Sequence, residues 1–460
     1  MDSPPIIRDL YHFSMIRHSP GKLHQSQFKE TGWFILWASY YPLLTVFKPK
    51  PAHAIMSNTK FLSRGWAVQA ACQKYENLLS LSGQRWKDRK VMIAPSFSLD
   101  VIQSFLPTVT QHAEYLIEDI KMRIEMSFDF HHLIADHTMS ISLDTSIGLE
   151  KSSNWPGKTI IHNGLKKWIA SQIERIGKPY LWFEMVNNIH ELIRGNKNLM
   201  DDCKSQIDQV IKARIEANTL SDGHEYFDDG KVERKPFLAH MVSEFVNQSK
   251  KKKSDFNYDQ LLLETIAIIV TSYETIASTV RWTLFNLAGN LDIQQRLYQE
   301  LSSYDSSQNM TIRYLDSFEY LDQCLSESLR LSPPISSIVR QIEHNITLDG
   351  FDIPKDTLSL ISVTAIHHDE TIYPSPEVFN PDRFSPENRD KIPPGAFIPF
   401  GEGPRKCIGW KLALVVSKIL IAHIVKHCIV HVEDHEKVKV RNDLLLVPEK
   451  PIMFRFSLRS

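Results

Sequence analysis

The sequence has no CxxC pair, no linker rich in proline, glycine or serine, no internal repeat and no apolar run long enough to cross a bilayer. Its five cysteines, Cys72, Cys203, Cys324, Cys407 and Cys428, are scattered and odd in number, which argues against a disulfide framework or a structural zinc site and for a reducing compartment. Neither sign of charge dominates. With 53 Lys plus Arg against 54 Asp plus Glu, the net charge is −1, so nucleic acid drops out as a first partner. The lack of any composition shift leaves one body over residues 1–460, although a chain of this length often divides into about three domains.

Residues 1–31 are polar and lack the apolar core of a signal peptide. The most apolar early stretch, residues 33–47, is interrupted by Ser39, Tyr40, Tyr41 and Pro42 and is too short for a hydrocarbon layer of roughly 30 Å. Two β-strands around a turn at Tyr41-Pro42 are predicted instead. Sequons at Asn247, Asn309 and Asn345 read as chance without a secretion signal.

What is present is helical periodicity, which dominates from about Trp66 to Ser332, with strand signals at both ends. The longest predicted helix starts at an N-cap Ser254 and runs to Ala288, where Gly289-Asn290 stops it. Its apolar residues lie almost all round, among them Leu261, Leu262, Ile266, Ile276, Val280 and Leu287, as expected of a buried central helix. Glu264, Glu274 and Arg281 argue against its spanning a membrane. A second helix follows Tyr320 and ends before Pro333-Pro334, and strands are predicted near residues 335–348, 357–362 and 437–456. Residues 374–394 form a long proline-punctuated connection, and loops of that length usually have a task. The four lysines at 250–253 read as a solvated loop.

The most informative stretch is Phe400-Gly401-Glu402-Gly403-Pro404-Arg405-Lys406-Cys407-Ile408-Gly409, followed by a helix whose apolar face carries Leu412, Val415, Val416, Ile419 and Leu420. A cysteine at a helix mouth, beside Arg405 and Lys406, stands where dipole and cations favour the thiolate. Such a thiolate is a good axial ligand for haem iron and favours O–O cleavage. Gly401 and Gly403 permit a tight loop against a flat macrocycle, and Gly409 permits close passage after the ligand. Taken alone, the loop also fits an ordinary core cysteine.

The pattern Phe-x-x-Gly-x-x-x-Cys-x-Gly closely resembles the haem-binding loop of the cytochrome P-450 superfamily, and other markers of that family occur in its order. Glu327 and Arg330, three apart and so on one helix face, resemble its Glu-x-x-Arg element. Phe379-Asn380-Pro381-Asp382-Arg383-Phe384 resembles the segment whose arginine, here Arg383, completes a structural triad. Thr271-Ser272-Tyr273-Glu274-Thr275 is similar to its oxygen-activation segment, with Thr271 and Ser272 where small residues are the rule. The resemblance implies that Thr275 supplies a hydroxyl and Glu274 a carboxylate feeding protons through water. Neighbours on a helix lie about 100° apart, so Glu274 is expected to point away from the substrate pocket. Arg405 and Arg340 match propionate-binding arginines. Trp86 matches a Trp-x-x-x-Arg helix, with Lys90 in the cationic place and an arginine beside it at Arg89; lysine brings charge without a bidentate fork. His367 matches a family histidine and is a further propionate candidate, or otherwise a strand histidine.

The resemblance covers the chain from about Gly21 to its end. It implies a mainly α single-domain fold with a smaller β region, one haem b (iron protoporphyrin IX) on Cys407, and monooxygenation. In that reaction two electrons and O2 place one oxygen atom in a small apolar organic substrate, a xenobiotic, steroid or lipid, and the other oxygen leaves as water. Electrons are expected from an NADPH-dependent flavoprotein reductase docking on the cysteine side, near Arg85, Lys87, Lys406 and Lys411. Substrate contacts are expected from residues 335–339, 266–271 and 61–83. Tyr273-Glu274-Thr275, residues 384–391 and Val447-Pro448-Glu449-Lys450-Pro451 look most like the animal drug and steroid hydroxylases, which implies the cytosolic face of the endoplasmic reticulum membrane. Those relatives begin with a membrane anchor and this chain begins after where it would be, so it is expected either to be truncated or to lack a spanning anchor, and in the latter case to be soluble or to touch the membrane peripherally, through residues 33–47. Two other functions stay open: rearrangement of a peroxide without reductase, against which Glu274-Thr275 argues, and non-catalytic haem binding, for which the Thr271-Ser272 departure argues.

Overall fold

The computed structural model describes residues 31–459 apart from 39–40, 72–74, 150–151, 179–180, 182–183, 197–198, 221–235, 251–255, 305–309 and 443–444. Cys72, Lys251 to Lys253, Ser254 and Asn309 therefore lie outside the described residues. The helices that position the site are α1 (Pro49–Met56), α2 (Gly83–Ile93), α3 (Leu99–Lys121), α4 (Phe130–Ser146), α5 (Pro156–Gly177), α6 (Glu184–Ile193), α7 (Tyr258–Ala288), α8 (Glu319–Leu331), α9 (Val363–His367) and α10 (Trp410–His427). The architecture is mainly helical, with small sheets at the periphery, as expected.

The long predicted helix is α7, 31 residues and so roughly 46 Å. Its cap is Asn257, not Ser254. The Asn257 side chain accepts the Gln260 N–H at 3.0 Å while the Gln260 side chain accepts the Asn257 N–H at 3.2 Å, a reciprocal box that satisfies two donors at once. Two hydrophobic cores meet on this helix. Leu261, Leu262, Ile266, Ile269 and Tyr273 pack into one, with α4 and α5; Ile276, Val280, Leu284 and Leu287 pack into the other, with α3, α8 and α10. Each such buried side chain contributes about 1.5–3 kcal/mol, which explains why tertiary packing rather than capping holds the helix straight through the molecule. Glu274 and Thr275 fall between Tyr273 and Ile276, at the junction of the cores.

Among the described residues, α7 is also the one helix long and apolar enough to cross a membrane. It is a core helix here, and two of its charges are paired: Glu264 meets Arg89 of α2 at 2.6 Å and Glu274 meets His131 of α4 at 3.2 Å.

Strands β1 (Trp33–Ala38) and β2 (Tyr41–Val46) pair antiparallel with Ala38 opposite Tyr41. Tyr41 and Pro42 therefore belong to the second strand, not to the turn. β4 (Ser337–Gln341) and β5 (Leu358–Ser362) complete a four-stranded sheet in the order β1-β2-β5-β4, with β2 and β5 parallel. β3 (Ser127–Asp129), β6 (Cys428–Val432) and β7 (Met453–Leu458) form a second, antiparallel sheet, with β7 in the middle. The first sheet buries Trp33, Phe34, Leu43, Leu44, Val46 and Phe47. These are neighbours in the chain, so both faces of the sheet are covered at these positions, while Ile35 between them is exposed.

Candidate active site

The Cys407 loop is built by its own backbone. The Gly401 N–H donates to the Ile398 carbonyl at 3.0 Å and the Cys407 N–H to the Phe400 carbonyl at 2.9 Å. Gly401 and Gly403 have φ of +70° and +71°, a region that only glycine enters freely. A Cβ on Gly403 would stand 2.1 Å from the Met56 carbonyl oxygen, so this turn is pressed against the end of α1. Gly409 caps α10 with φ of −90°, and a Cβ there would meet the Phe97 ring at 3.4 Å.

Among the described cysteines Cys407 alone is accessible; Cys203, Cys324 and Cys428 are buried. Its sulfur is nevertheless closely surrounded, and burial pushes the thiol above its ordinary pKa, against the smaller pulls of the Gly409 N–H, Arg64 and Lys406. This reverses the expectation of a resting thiolate. Arg405 does not face the sulfur: its guanidinium donates to the carbonyls of Leu62 at 2.7 Å, Leu78 at 3.0 Å and Leu81 at 2.5 Å. The Lys406 ammonium lies over the Trp410 ring at 4.2 Å. A bound metal would favour the thiolate, since metals deprotonate a coordinating cysteine.

A cluster of cations adjoins the loop. Burial pushes Arg340, on β4, down to about 9, and neighbouring Arg64 adds to the shift. Burial likewise pushes Arg405 down to about 8, with Arg64 and Arg340 reinforcing and Glu343 opposing. Arg340 Nε is buried with no hydrogen-bond partner. An anion beside these groups would satisfy that donor and relieve the mutual repulsion. Lys90 on α2 donates to the Pro404 carbonyl at 2.5 Å and lies 5.1 Å from the centre of the Trp86 ring, which also faces Arg405 at 4.5 Å. Arg89 has a separate role. One residue earlier on the helix, it turns to α7 and binds Glu264 at 2.6 Å and Gln260 at 3.1 Å. Lys90 thus joins α2 to the cysteine loop while Arg89 joins α2 to the central helix.

Glu327, Arg330 and Arg383 come together. Glu327 accepts Arg330 Nε at 2.7 Å, Arg330 NH2 at 2.9 Å, the Asn380 N–H at 3.0 Å and Arg383 Nε at 3.3 Å. Glu327 and Arg330 are fully buried. His367 is neither a strand residue nor a propionate donor: it ends α9 and both ring nitrogens are committed. Nδ1–H donates to the Arg330 carbonyl at 3.1 Å and Nε2 accepts the Ile398 N–H at 2.9 Å, a pattern only the neutral ring can make. Burial, with His368 and Arg330 adding, pushes its pKa down to about 3. The triad is thereby tied to the start of the cysteine loop through one imidazole.

On α7, Thr271, Thr275, Thr279 and Thr283 recur every fourth residue, and each hydroxyl donates to the carbonyl four residues back at 2.7–2.9 Å. Ser272 points to α4, where its hydroxyl lies 2.5 Å from that of Ser142. Glu274 also turns to α4, as its 100° offset from Thr275 requires. Burial alone would raise its pKa, but the hydrogen bond and charge of His131, then Arg281 and His162, hold it below the usual carboxylate range. His131 and Ser142 carried no signal in the sequence, because each meets α7 only through the packing of separate helices, and Arg89, noted there only as the arginine beside Lys90, gave no sign of its partner Glu264.

Of the expected docking cations, Lys87 and Lys406 are exposed and Arg85 is bound to Glu76 at 2.7 Å and 3.1 Å. Several expected substrate contacts are core residues: Ile266 and Ile269 pack against α4 and α5, and Phe61 packs under the first sheet. Ile338 remains close to the loop, 3.4 Å from where a Gly401 Cβ would stand.

The family model described as cytochrome P450 matches residues 3–456. Similar proteins include cytochrome P450 4c21 of Blattella germanica, 25% identical over 437 residues that make up 93% of this chain and 86% of that protein. Cytochrome P450 4V2 of Rattus norvegicus is 24% identical over 434 residues, 92% and 82% of the two chains. Cytochrome P450 3A12 of Canis lupus familiaris is 23% identical over 448 residues, 92% and 85%.

Proposed function

The chain belongs to the cytochrome P450 family of haem-thiolate monooxygenases, and on that premise we propose that it oxygenates a small apolar organic substrate with electrons from an NADPH-dependent flavoprotein reductase. Haem b, when bound, supplies activation of O2 and transfer of one oxygen atom. The donor set suits that group: an accessible cysteine sulfur in a glycine turn, and beside it a cluster of buried cations in which Arg340 Nε lacks an acceptor. This last observation carries the reading, since buried donors are normally satisfied.

In this reading Cys407 is the iron ligand and Phe400, Gly401 and Gly409 shape its loop. Arg340, Arg405, Trp86 and Lys90 hold the haem edge. Glu327, Arg330 and Arg383 keep the loop in place. Glu274 holds and passes a proton, and the Thr275 hydroxyl orients it. The reduced, CO-treated protein is expected to show the red-shifted band of thiolate ligation, and turnover is expected with NADPH and reductase but not with peroxide alone. Turnover of peroxide in the absence of reductase would favour the rearrangement chemistry instead.

Thr271 and Ser272 bear on efficiency. Both hydroxyls are already spent, on the Ala267 carbonyl at 2.8 Å and on the Ile268 carbonyl at 2.8 Å with Ser142 beside it, which favours added bulk over water-ordering. Extra volume in a close-packed site costs roughly 1–3 kcal/mol. Thr271→Ala is expected to raise product formed per NADPH several-fold, up to about tenfold, and to lower peroxide leakage; Ser272→Gly added to it should contribute less because Ser272 faces α4. A fall in coupling would reject the obstruction.

Peripheral membrane contact is assigned to α6, where Met185, Val186, Ile189, Leu192 and Ile193 are exposed. An apolar face of this kind on a short helix suits shallow insertion at a lipid surface. Ile189→Glu with Leu192→Glu should release the protein from phospholipid vesicles in a flotation assay without altering its spectrum.

A further inference from the structure

Glu264, about three turns before Thr275 on α7, is a fully buried carboxylate with no part in the chemistry assigned above. Both of its oxygens accept. Oε1 takes Arg89 Nη1 at 2.6 Å and Oε2 takes the Leu78 N–H at 3.0 Å. Burial raises its pKa, against the pull of Arg89 and the Leu78 N–H. The carbonyl of the same leucine accepts Arg405 Nη1 at 3.0 Å, and the Leu81 carbonyl accepts Arg405 Nη2 at 2.5 Å. Two of the three carbonyls that orient this guanidinium therefore belong to one turn, residues 77–81. The other hydrogen bonds of the turn stay within residues 75–81, where the Asn77 and Ser80 side chains close it on itself. Among the described residues, Glu264 is thus the group outside the cysteine loop that anchors this turn by a hydrogen bond.

The geometry points to Glu264 as a positioning residue for the haem edge, which through Leu78 fixes the direction of the Arg405 guanidinium; this rests on the reading above that Arg405 holds that edge. The path closes on itself. Arg89 binds Glu264, the next residue, Lys90, donates to the Pro404 carbonyl, the residue after Pro404, Arg405, donates to the Leu78 carbonyl, and the Leu78 N–H returns to Glu264. Each of these four hydrogen bonds has a charged side chain as one partner, and such bonds are roughly twice as strong as neutral ones. The central helix, α2, the cysteine loop and the 77–81 turn are therefore one ring, in which no member shifts without breaking a charge-assisted bond.

Arg405 depends on such support because carbonyls orient a charge without neutralising it. Glu343, which opposes its fall in pKa, does not pair with it but accepts the Leu62 and Ser63 N–H groups at 2.5 Å and 3.2 Å. The Leu62 carbonyl is the third acceptor of Arg405, at 2.7 Å. The same arrangement thus occurs twice: a leucine gives its N–H to a carboxylate, Glu343 or Glu264, and its carbonyl to Arg405. The two acids steady the guanidinium from a distance, and its charge stays available to an anion. Of the two, Glu264 stands on the helix that also carries Thr275, so it links the haem edge to the oxygen side of the site.

The test follows the loss of haem from the loaded protein to excess apomyoglobin, with no substrate or reductase present. Arg89→Met combined with Glu264→Met removes the acceptor of Leu78 without stranding either charge, since buried ion pairs replaced together by apolar residues of similar volume are tolerated. This pair variant should keep its red-shifted CO band, because Cys407 is untouched, and should lose haem about tenfold faster, the effect of one hydrogen bond to a charged group. Arg405→Lys, which lacks the planar fork, should also speed the loss. Added to the pair variant it should speed it little beyond Arg405→Lys alone, because residues acting in series are not additive. An unchanged rate in the pair variant overturns the proposal, as do factors that multiply, which would mean that Glu264 and Arg405 act independently. An unchanged rate in Arg405→Lys overturns it from the other side, by removing Arg405 from the haem edge, and so tells the failure of that reading from the failure of the Glu264 link. If the pair variant does not fold, Glu264→Gln, which leaves one accepting oxygen, replaces it with a several-fold increase and the same lack of additivity. If Arg405→Lys retains no haem, Arg405→Gln takes its place.

Discussion

Cys407→Ala is expected to abolish the red-shifted band of the reduced, CO-treated protein completely, while Cys203→Ala, Cys324→Ala and Cys428→Ala each retain it. The asymmetry follows from position. Cys203 is buried with its sulfur against the Ile160 and Ile161 carbonyls at 3.8 Å, and burial pushes its thiol up to about 11. Cys428 is likewise pushed up to about 11 by burial, and Cys324 is fully buried in the larger core with its thiol raised. None has a glycine turn to carry the sulfur to a planar ligand. Cys407 has both the turn and an accessible sulfur. Burial also raises its thiol, so a bound iron would be what favours the thiolate, and an alanine there would leave that iron no sulfur at all. A thiolate band in Cys407→Ala would end the assignment of this loop.

Glu327→Ala should give little folded, haem-loaded protein. Four donors converge on this carboxylate, and its loss strands the fully buried Arg330 guanidinium, at a cost of roughly 3–5 kcal/mol. That is a large part of the 5–15 kcal/mol that typically separates folded from unfolded chains. The damage should extend beyond the pair, because Arg330 donates to the His367 carbonyl at 2.8 Å and His367 in turn holds Ile398 at the entry to the cysteine loop. Glu327→Gln keeps an acceptor while removing the charge, so its melting temperature and haem content should fall between those of wild type and Glu327→Ala. A normal melting temperature and haem content in Glu327→Ala would show that the network does not support the loop.

Much of this was legible in the sequence wherever the physics is local. The loop around Cys407 could be recognised because positive φ demands glycine at Gly401 and Gly403, and glycine is visible in a sequence. Glu327 and Arg330 could be paired because three residues on a helix bring side chains to one face. The central helix showed itself through apolar residues all round, and its end through Gly289. Its start was misplaced at Ser254 because both Ser254 and Asn257 are good caps; what favours Asn257 is Gln260, three residues on, which returns the hydrogen bond. The turn at Tyr41-Pro42 was misplaced for a related reason: proline marks either a turn or a strand end, and pairing register decides between them.

The sequence by itself determined the fold class, the cysteine loop, the Glu-x-x-Arg pair and the course of α7, since each depends on periodicity or turn chemistry within a few residues. Tertiary structure alone decided which way neighbouring side chains point and what they meet. Arg89 and Lys90 are adjacent, yet one binds Glu264 on α7 and the other the Pro404 carbonyl. His367 proved to be a neutral strut, and the Glu274 carboxylate gained His131 from a helix far away in the chain. Even the direction of the Cys407 shift was decided there, because desolvation depends on how many atoms the whole fold packs around a group, whereas the flanking charges a sequence displays can turn elsewhere, as Arg405 does.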